Sequence, residues 1–148
     1  MANHLRRQIR EAAAAALTGL TTTGSRVFAS RARLLQASDL PALRVFCDDE
    51  DIENKTMGPV RERKRTLELV VEGCCAANTD ADDTLDQIAK EVEIALDNNN
   101  SLGVGVKWIE PKKIKAEFMG HGEVLIAVAR MQFEAVYYSA KGSPDVAL

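Results

Sequence analysis

The sequence predicts an α+β domain, a mostly antiparallel or mixed sheet of about five strands packed against two main helices. Three observations carry this prediction. Apolar residues recur at helical spacing near the N-terminus and again over Leu85–Leu96, each as a single stripe suited to lying on a sheet. Elsewhere apolar and polar residues alternate strictly, the pattern of half-buried strands. The 148 residues, 46% apolar and 28% charged, suit one domain with one core. Residues 1–140 are assigned to that domain and residues 141–148 to a disordered tail.

The first helix runs from about Asn3 to Leu17, with Leu5, Ile9, Ala12, Ala13, Ala16 and Leu20 at helical spacing and Arg6, Arg7 and Arg10 elsewhere on the wheel. Its apolar face is mostly Ala, too thin to hold a bilayer strongly, so it is expected to pack on the sheet. After the turn-rich Thr21–Ser25, Val27–Ala29 reads as a short strand. Pro41 favours an extended entry into a second strand, in which Leu43, Val45 and Cys47 alternate with Arg44 and Phe46. Asp48–Pro59 gathers acids, Asn54 and the Gly58-Pro59 breaker and is expected to be a long loop, mobile or functional.

A long strand follows from Arg61 to about Cys75, with Leu67, Leu69, Val71 and Cys75 on one face and Thr66, Glu68 and Glu72 on the other. Gly73 interrupts the inner face, marking a bulge or a close approach of the packed helix. Asn78, Thr79 and Asp80 offer N-cap oxygens to the second helix, and Asp82 and Asp83 suit the positive end of its dipole. Asn98, Asn99 and Asn100 are expected to end it through a left-handed residue. Beyond an irregular stretch through Gly103, Gly105 and Trp108, Lys112–Met119 reads as a strand with Ile114, Ala116 and Phe118 inward. Gly120-His121-Gly122 turns into a closing strand, Glu123–Tyr138, whose Leu125, Ala127, Ala129, Met131, Phe133, Ala135 and Tyr137 face the core. Its other face begins apolar at Val124, Ile126 and Val128, an end expected to be covered by another element or subunit.

The net charge of −3 argues against a dedicated duplex-DNA reader, whose domain is strongly basic. Yet the charge is segregated. From Met1 to Phe46 seven Arg stand against two acids, Glu11 and Asp39, and then Asp48, Asp49, Glu50, Asp51 and Glu53 fall within six positions. Self-complementary charge of this kind suits a protein that binds copies of itself. Arg61, Arg63, Lys64 and Arg65 lack the interleaved aromatics of a nucleic-acid surface and read instead as partners for a neighbour's acids. The expected oligomer interface therefore joins those acids and bases with Arg6 and Arg10.

Chemistry has little to work with. A calcium loop over the acidic run fails, because Glu53 stands where glycine is needed and Pro59 where a bidentate acid is needed. Asp48, Asp49 and Asp51 remain the metal candidates, through a loosely held Mg²⁺ or Ca²⁺ shared between subunits, against a default of no cofactor. His4 and His121 are the only histidines, and neither is placed as a base beside a nucleophile, so no enzyme is expected. Cys74 and Cys75 point to opposite faces of a strand and read as structural. Gly103-Val104-Gly105 lacks the third glycine of a phosphate-binding turn. No apolar run approaches the roughly 20 residues of a membrane-spanning helix, and nothing at the N-terminus reads as a signal peptide, so cytoplasm is the default compartment.

A short helix beginning near His4-Leu5-Arg6 precedes Asp39-Leu40-Pro41-Ala42-Leu43-Arg44-Val45, which leads into a strand and the acidic stretch. Leu67-Glu68-Leu69-Val70-Val71, the helix Leu85–Leu96 and a closing pair of strands follow. This arrangement, to about Tyr138, resembles the minor tail protein U group of phage tail terminators. The resemblance implies a non-enzymatic virion protein of a phage or prophage that forms a hexameric ring, stops tail-tube polymerisation and offers a surface to the head connector. Its implied partners are itself, the tail tube protein and the head–tail connector protein, with no membrane and no sequence-specific nucleic acid. Its implied location is the host cytoplasm during assembly and then the virion tail. The extended basic segment after Pro59 departs from the shorter connection expected of that group. Two alternatives stand beside it: a head-completion or neck adaptor of the same fold, and a small ligand-binding regulatory domain with a pocket near Trp108.

Overall fold

A computed structural model describes residues 2–56, 58, 61–121 and 124–148. In α1 (Leu5–Ala16) the buried residues Leu5, Ile9 and Ala13 share one face, and His4 caps the helix by accepting the Arg6 N–H at 3.0 Å. In α2 (Ala81–Asp97) the buried stripe is Ala81, Leu85, Ile88, Val92 and Leu96. The strands are β1 (Val27–Phe28), β2 (Ala42–Asn54), β3 (Glu62–Ala76), β4 (Trp108–His121) and β5 (Val124–Ala140). They form one sheet in the order β1-β2-β3-β5-β4, antiparallel except for the parallel β1–β2 pair. This is the α+β fold that the two periodicities predict.

Both helices pack on one face of the sheet. Leu67, Leu69 and Val71 of β3 and Met131, Phe133 and Tyr137 of β5 meet Leu5, Ile9, Ile88, Val92 and Leu96 there. Burying each larger apolar side chain stabilises by roughly 1.5–3 kcal/mol. Gly73 is the close approach rather than the bulge: strand register runs through it on both sides, and a Cβ there would come 2.6 Å from Ile88 Cγ2. On the opposite, open face Ile126 and Val128 are covered by Leu35, Phe28 and Leu40, so the chain's own segment before β2 caps that apolar end. Cys74 and Cys75 do face opposite sides, in separate clusters.

The acidic run is strand, not loop. β2 continues to Asn54 because Asp51, Ile52, Glu53 and Asn54 pair with Thr66, Arg65, Lys64 and Arg63, which sets a base across from an acid at Glu53–Lys64. The Lys55 N–H donates to the Glu62 carbonyl at 2.8 Å, so pairing reaches almost to the connection; Pro59 of the expected breaker lies outside the described residues. The C-terminal residues likewise differ from a disordered tail. The Pro144 carbonyl accepts the Leu5 N–H at 2.9 Å, the Asp145 carbonyl accepts Gln8 Nε2 at 2.9 Å, and Ala147 packs on the core. They are held because they satisfy the Leu5 N–H, which the first turn of α1 leaves unpaired, and the Gln8 side-chain amide.

Smaller differences concern element ends. Asn98 caps α2 in a right-handed conformation, and the left-handed turn falls instead at Leu102 (φ 52°) and Gly103 (φ 71°). β4 starts at Trp108, earlier than its alternation suggests, and its pairing with β5 runs to His121 opposite Val124. Gly122 of the expected turn lies outside the described residues. Ile114 and Phe118 pair with Met131 and Ala127 and so share the helix face as expected, but they are exposed because α2 covers β4 only in part, burying Ile109 and leaving Ile114 and Phe118 bare.

Candidate assembly surface

A bulge in β2 decides where the acids go. Cys47 pairs with Leu69 and Glu50 with Leu67, so Asp48 and Asp49 together oppose Glu68. The extra residue shifts the alternation by one. Glu50 therefore turns to the helix face, while Asp48, Asp49 and Asp51 stay on the open face.

Glu50 and Arg65, expected at a subunit interface, are buried inside this one. Arg65 Nη1 donates to Glu50 at 3.1 Å and Arg65 Nε to Ser139 Oγ at 2.9 Å, and the Tyr137 hydroxyl donates to the other Glu50 oxygen. Burial and then the Glu50 carboxylate push the Tyr137 phenol above its usual range, so it stays a donor. Charge buried in this way persists only when paired, and this pair is complete within one chain.

Asp48 is also engaged internally. It accepts from Arg31 Nη2 at 3.2 Å and Arg130 Nη2 at 3.4 Å, and Arg6 Nη2 donates to its carbonyl at 2.7 Å. Arg130 reaches on to Glu72 at 3.4 Å, and Glu72 forms a buried pair with Arg44. Arg44 in turn donates to the carbonyls of Arg31 and Arg33 at 3.1 and 3.0 Å, tying the covering segment to the sheet. Arg31 and Arg130 both stack on Phe46, 4.5 and 5.4 Å from its ring centre. The sequence marks the members of this network only as scattered arginines and acids on three strands.

What remains outward is a smaller set. Asp49 and Asp51 line a shallow cleft of about 290 Å³ with Thr66, Glu68, Lys112 and Glu134. Glu68 stands directly across from Glu134, which stands across from Glu110, so one row of the open face is acidic over three strands. Lys112 Nζ answers it at 3.2 Å from Glu134, and Lys55 reaches Glu53 at 3.2 Å. Of the expected bases, Arg61 is exposed, Arg63 and Lys64 are half-buried, and Lys64 Nζ sits 5.8 Å over the Trp108 ring. Arg10 stands on α1, its Nε buried and without a hydrogen-bond partner among the described residues. The structure thus separates the expected interface residues into an internal group and an outward group. Sequence reading missed Lys112, Lys113 and Lys115 as an exposed basic row on the edge strand β4, although their spacing signals it.

Among the described residues no group of three or more His, Cys, Asp and Glu side chains is placed to hold a metal ion. Asp48 meanwhile has its arginines. Burial pushes the Cys47 thiol up to about 11 and the Cys74 thiol up to about 12, so both are unreactive thiols at neutral pH. Trp108, near which a ligand pocket was expected, lies at the surface beside Lys64. No helix among the described residues is long and apolar enough to cross a membrane.

No curated protein matches the chain. A family model does, over residues 4–134, and the family is described as phage minor tail protein U.

Proposed function

The chain belongs to the phage minor tail protein U family and is a structural protein of the phage tail that interacts with other virion components, and on that premise we propose that it is the tail terminator. Copies of it, six as the resemblance to tail terminators implies, form a ring that caps the tube, ends its polymerisation and presents a surface for head joining. It acts by binding alone. The observation that carries this reading is the segregation of outward charge: Asp49, Asp51 and Glu53 stand together on β2, while Lys113 and Lys115 stand on β4, at the other side of the sheet, next to Lys112, which turns back to Glu134. A compact subunit with two unlike, complementary surfaces makes head-to-tail contacts, and such contacts close into rings when their rotation permits. A loosely held Mg²⁺ or Ca²⁺ shared between subunits at Asp49 and Asp51, with Asp48 taken up by its arginines, would assist assembly by relieving the repulsion of clustered carboxylates.

Native mass measurement and electron microscopy of the concentrated protein, with and without Mg²⁺, test the ring. A closed assembly that stops tube growth when added to polymerising tube protein is expected. A chain that stays solitary at high concentration and leaves tube length unchanged overturns the proposal. Binding to filled heads without any effect on tubes would instead identify a head-completion or neck adaptor.

A further inference from the structure

Building on the ring reading, we infer that neighbouring copies join edge to edge: the outer edge of β2 in one copy pairs with the outer edge of β4 in the next, and the sheet runs on between them. The two ends of the sheet are unlike. β1 covers only Leu43 and Arg44 of β2, so Asp49–Asn54 has no strand on its outer side among the described residues, while β4 is an edge along its length. Unpaired N–H and C=O groups on an edge are a template for another strand. β2 runs opposite to β3, β3 to β5 and β5 to β4. β2 and β4 therefore run in opposite directions, and a second copy added in the same orientation continues the antiparallel ladder.

The side chains agree on both faces. On the open face the β2 edge carries Asp49, Asp51 and Glu53, and the middle of the β4 edge carries Lys113 and Lys115 with Lys112, which also reaches Glu134, between the flanking Glu110 and Glu117. On the helix face β2 presents Ile52, 54% exposed, and β4 presents Ile114 and Phe118, 49% and 60% exposed. Pairing the two edges thus sets acid beside base on one face and apolar beside apolar on the other. The arrangement also selects against the wrong contact. Two β2 edges would bring acids together, so a two-fold dimer through β2 is disfavoured and a head-to-tail contact is favoured. The helix layer fits as well: α1 packs beside β2, where Cys47 Sγ donates to the Arg6 carbonyl, so the next copy brings its α1 alongside the bare Ile114 and Phe118.

The test uses two charge-reversed full-length proteins, one with Lys112→Glu, Lys113→Glu and Lys115→Glu, the other with Asp49→Lys, Asp51→Lys and Glu53→Lys. Circular dichroism and thermal melts establish that each is folded, and native mass measurement reads assembly. Neither is expected to form rings alone, since each then has two edges of like charge. An equal mixture is expected to restore rings of alternating copies, because every acidic edge again finds a basic one. Phe118→Ser, a change at an already exposed residue, is expected to raise the concentration needed for rings about tenfold. If wild type forms rings and both reversed proteins do too, or if the folded pair fails to assemble when mixed, the edge pairing is wrong while the terminator reading stands. A wild type that never forms rings overturns both.

Discussion

Glu68 faces Glu134 across one strand gap and the bulged Asp48 and Asp49 across the other. Partial burial pushes its carboxyl above the usual range, Asp48 and Asp49 push it further, and Arg130 pulls back. A carboxyl raised in the folded state binds its proton more readily there than in the unfolded chain. Its stabilising contribution is therefore full below the unfolded value and lost as pH rises through the folded one. Glu68→Gln is expected to raise the unfolding free energy at about pH 7 by roughly 0.2–1 kcal/mol of relieved like-charge contact, moving the urea midpoint up, and to do little near about pH 4. An unchanged midpoint at neutral pH would mean that Lys112 and Arg130 already neutralise the row. Gly73 responds in the opposite sense. A methyl group there strikes Ile88 Cγ2, so Gly73→Ala should cost about 1–3 kcal/mol. In a double-mutant cycle Gly73→Ala with Ile88→Ala should cost less than the two changes summed, and strict additivity would show that the helix simply shifts.

Among the elements, the C-terminal segment does more than its composition suggests. It supplies the acceptor for the Leu5 N–H, its Leu148 N–H donates to the Tyr138 carbonyl at 2.9 Å, and Ala147 fills the space left by Gly105, where a Cβ would lie 2.5 Å from the Ala147 Cβ. Removing residues 143–148 is expected to lower stability by about 1–3 kcal/mol through the unpaired helix donor and the uncovered core. Hydrogen exchange at the Leu5 amide checks it, since unchanged protection there would place the cost elsewhere. The same element-level view explains what the sequence could reveal. α1, α2, β3 and β5 each carry their own period, because half their residues meet one core. The outer half of β2 carries no such signal: Asp and Glu are poor strand formers, and Asp49–Glu53 is strand only because Thr66, Arg65 and Lys64 lie beside it. For the same reason the sequence marks Glu50 as a surface acid, since only the bulge at Asp48–Asp49 turns it toward Arg65 and Tyr137. In β4 the alternation is legible but its burial is not, because exposure of Ile114 and Phe118 depends on how far two helices reach across a five-stranded sheet.

For the whole molecule, the question is whether the separated charges hold a ring together or only guide its formation. Exposed ion pairs contribute roughly 0–1 kcal/mol each and are screened beyond about 10 Å at 0.1 M salt, whereas ladder hydrogen bonds and the cover over Ile114 and Phe118 are far less sensitive to salt. Opposite fields on the two sheet edges nevertheless act at a distance, orienting copies before they touch. Raising salt from about 0.05 to about 0.5 M should therefore slow ring assembly steeply, while the rate at which preformed rings fall apart changes little. Light scattering after dilution into each buffer separates the two rates. If the rings instead fall apart faster in proportion as they form more slowly, Asp49, Asp51 and Glu53 with their lysine partners are the bonds of the ring themselves, and the backbone edges contribute register alone.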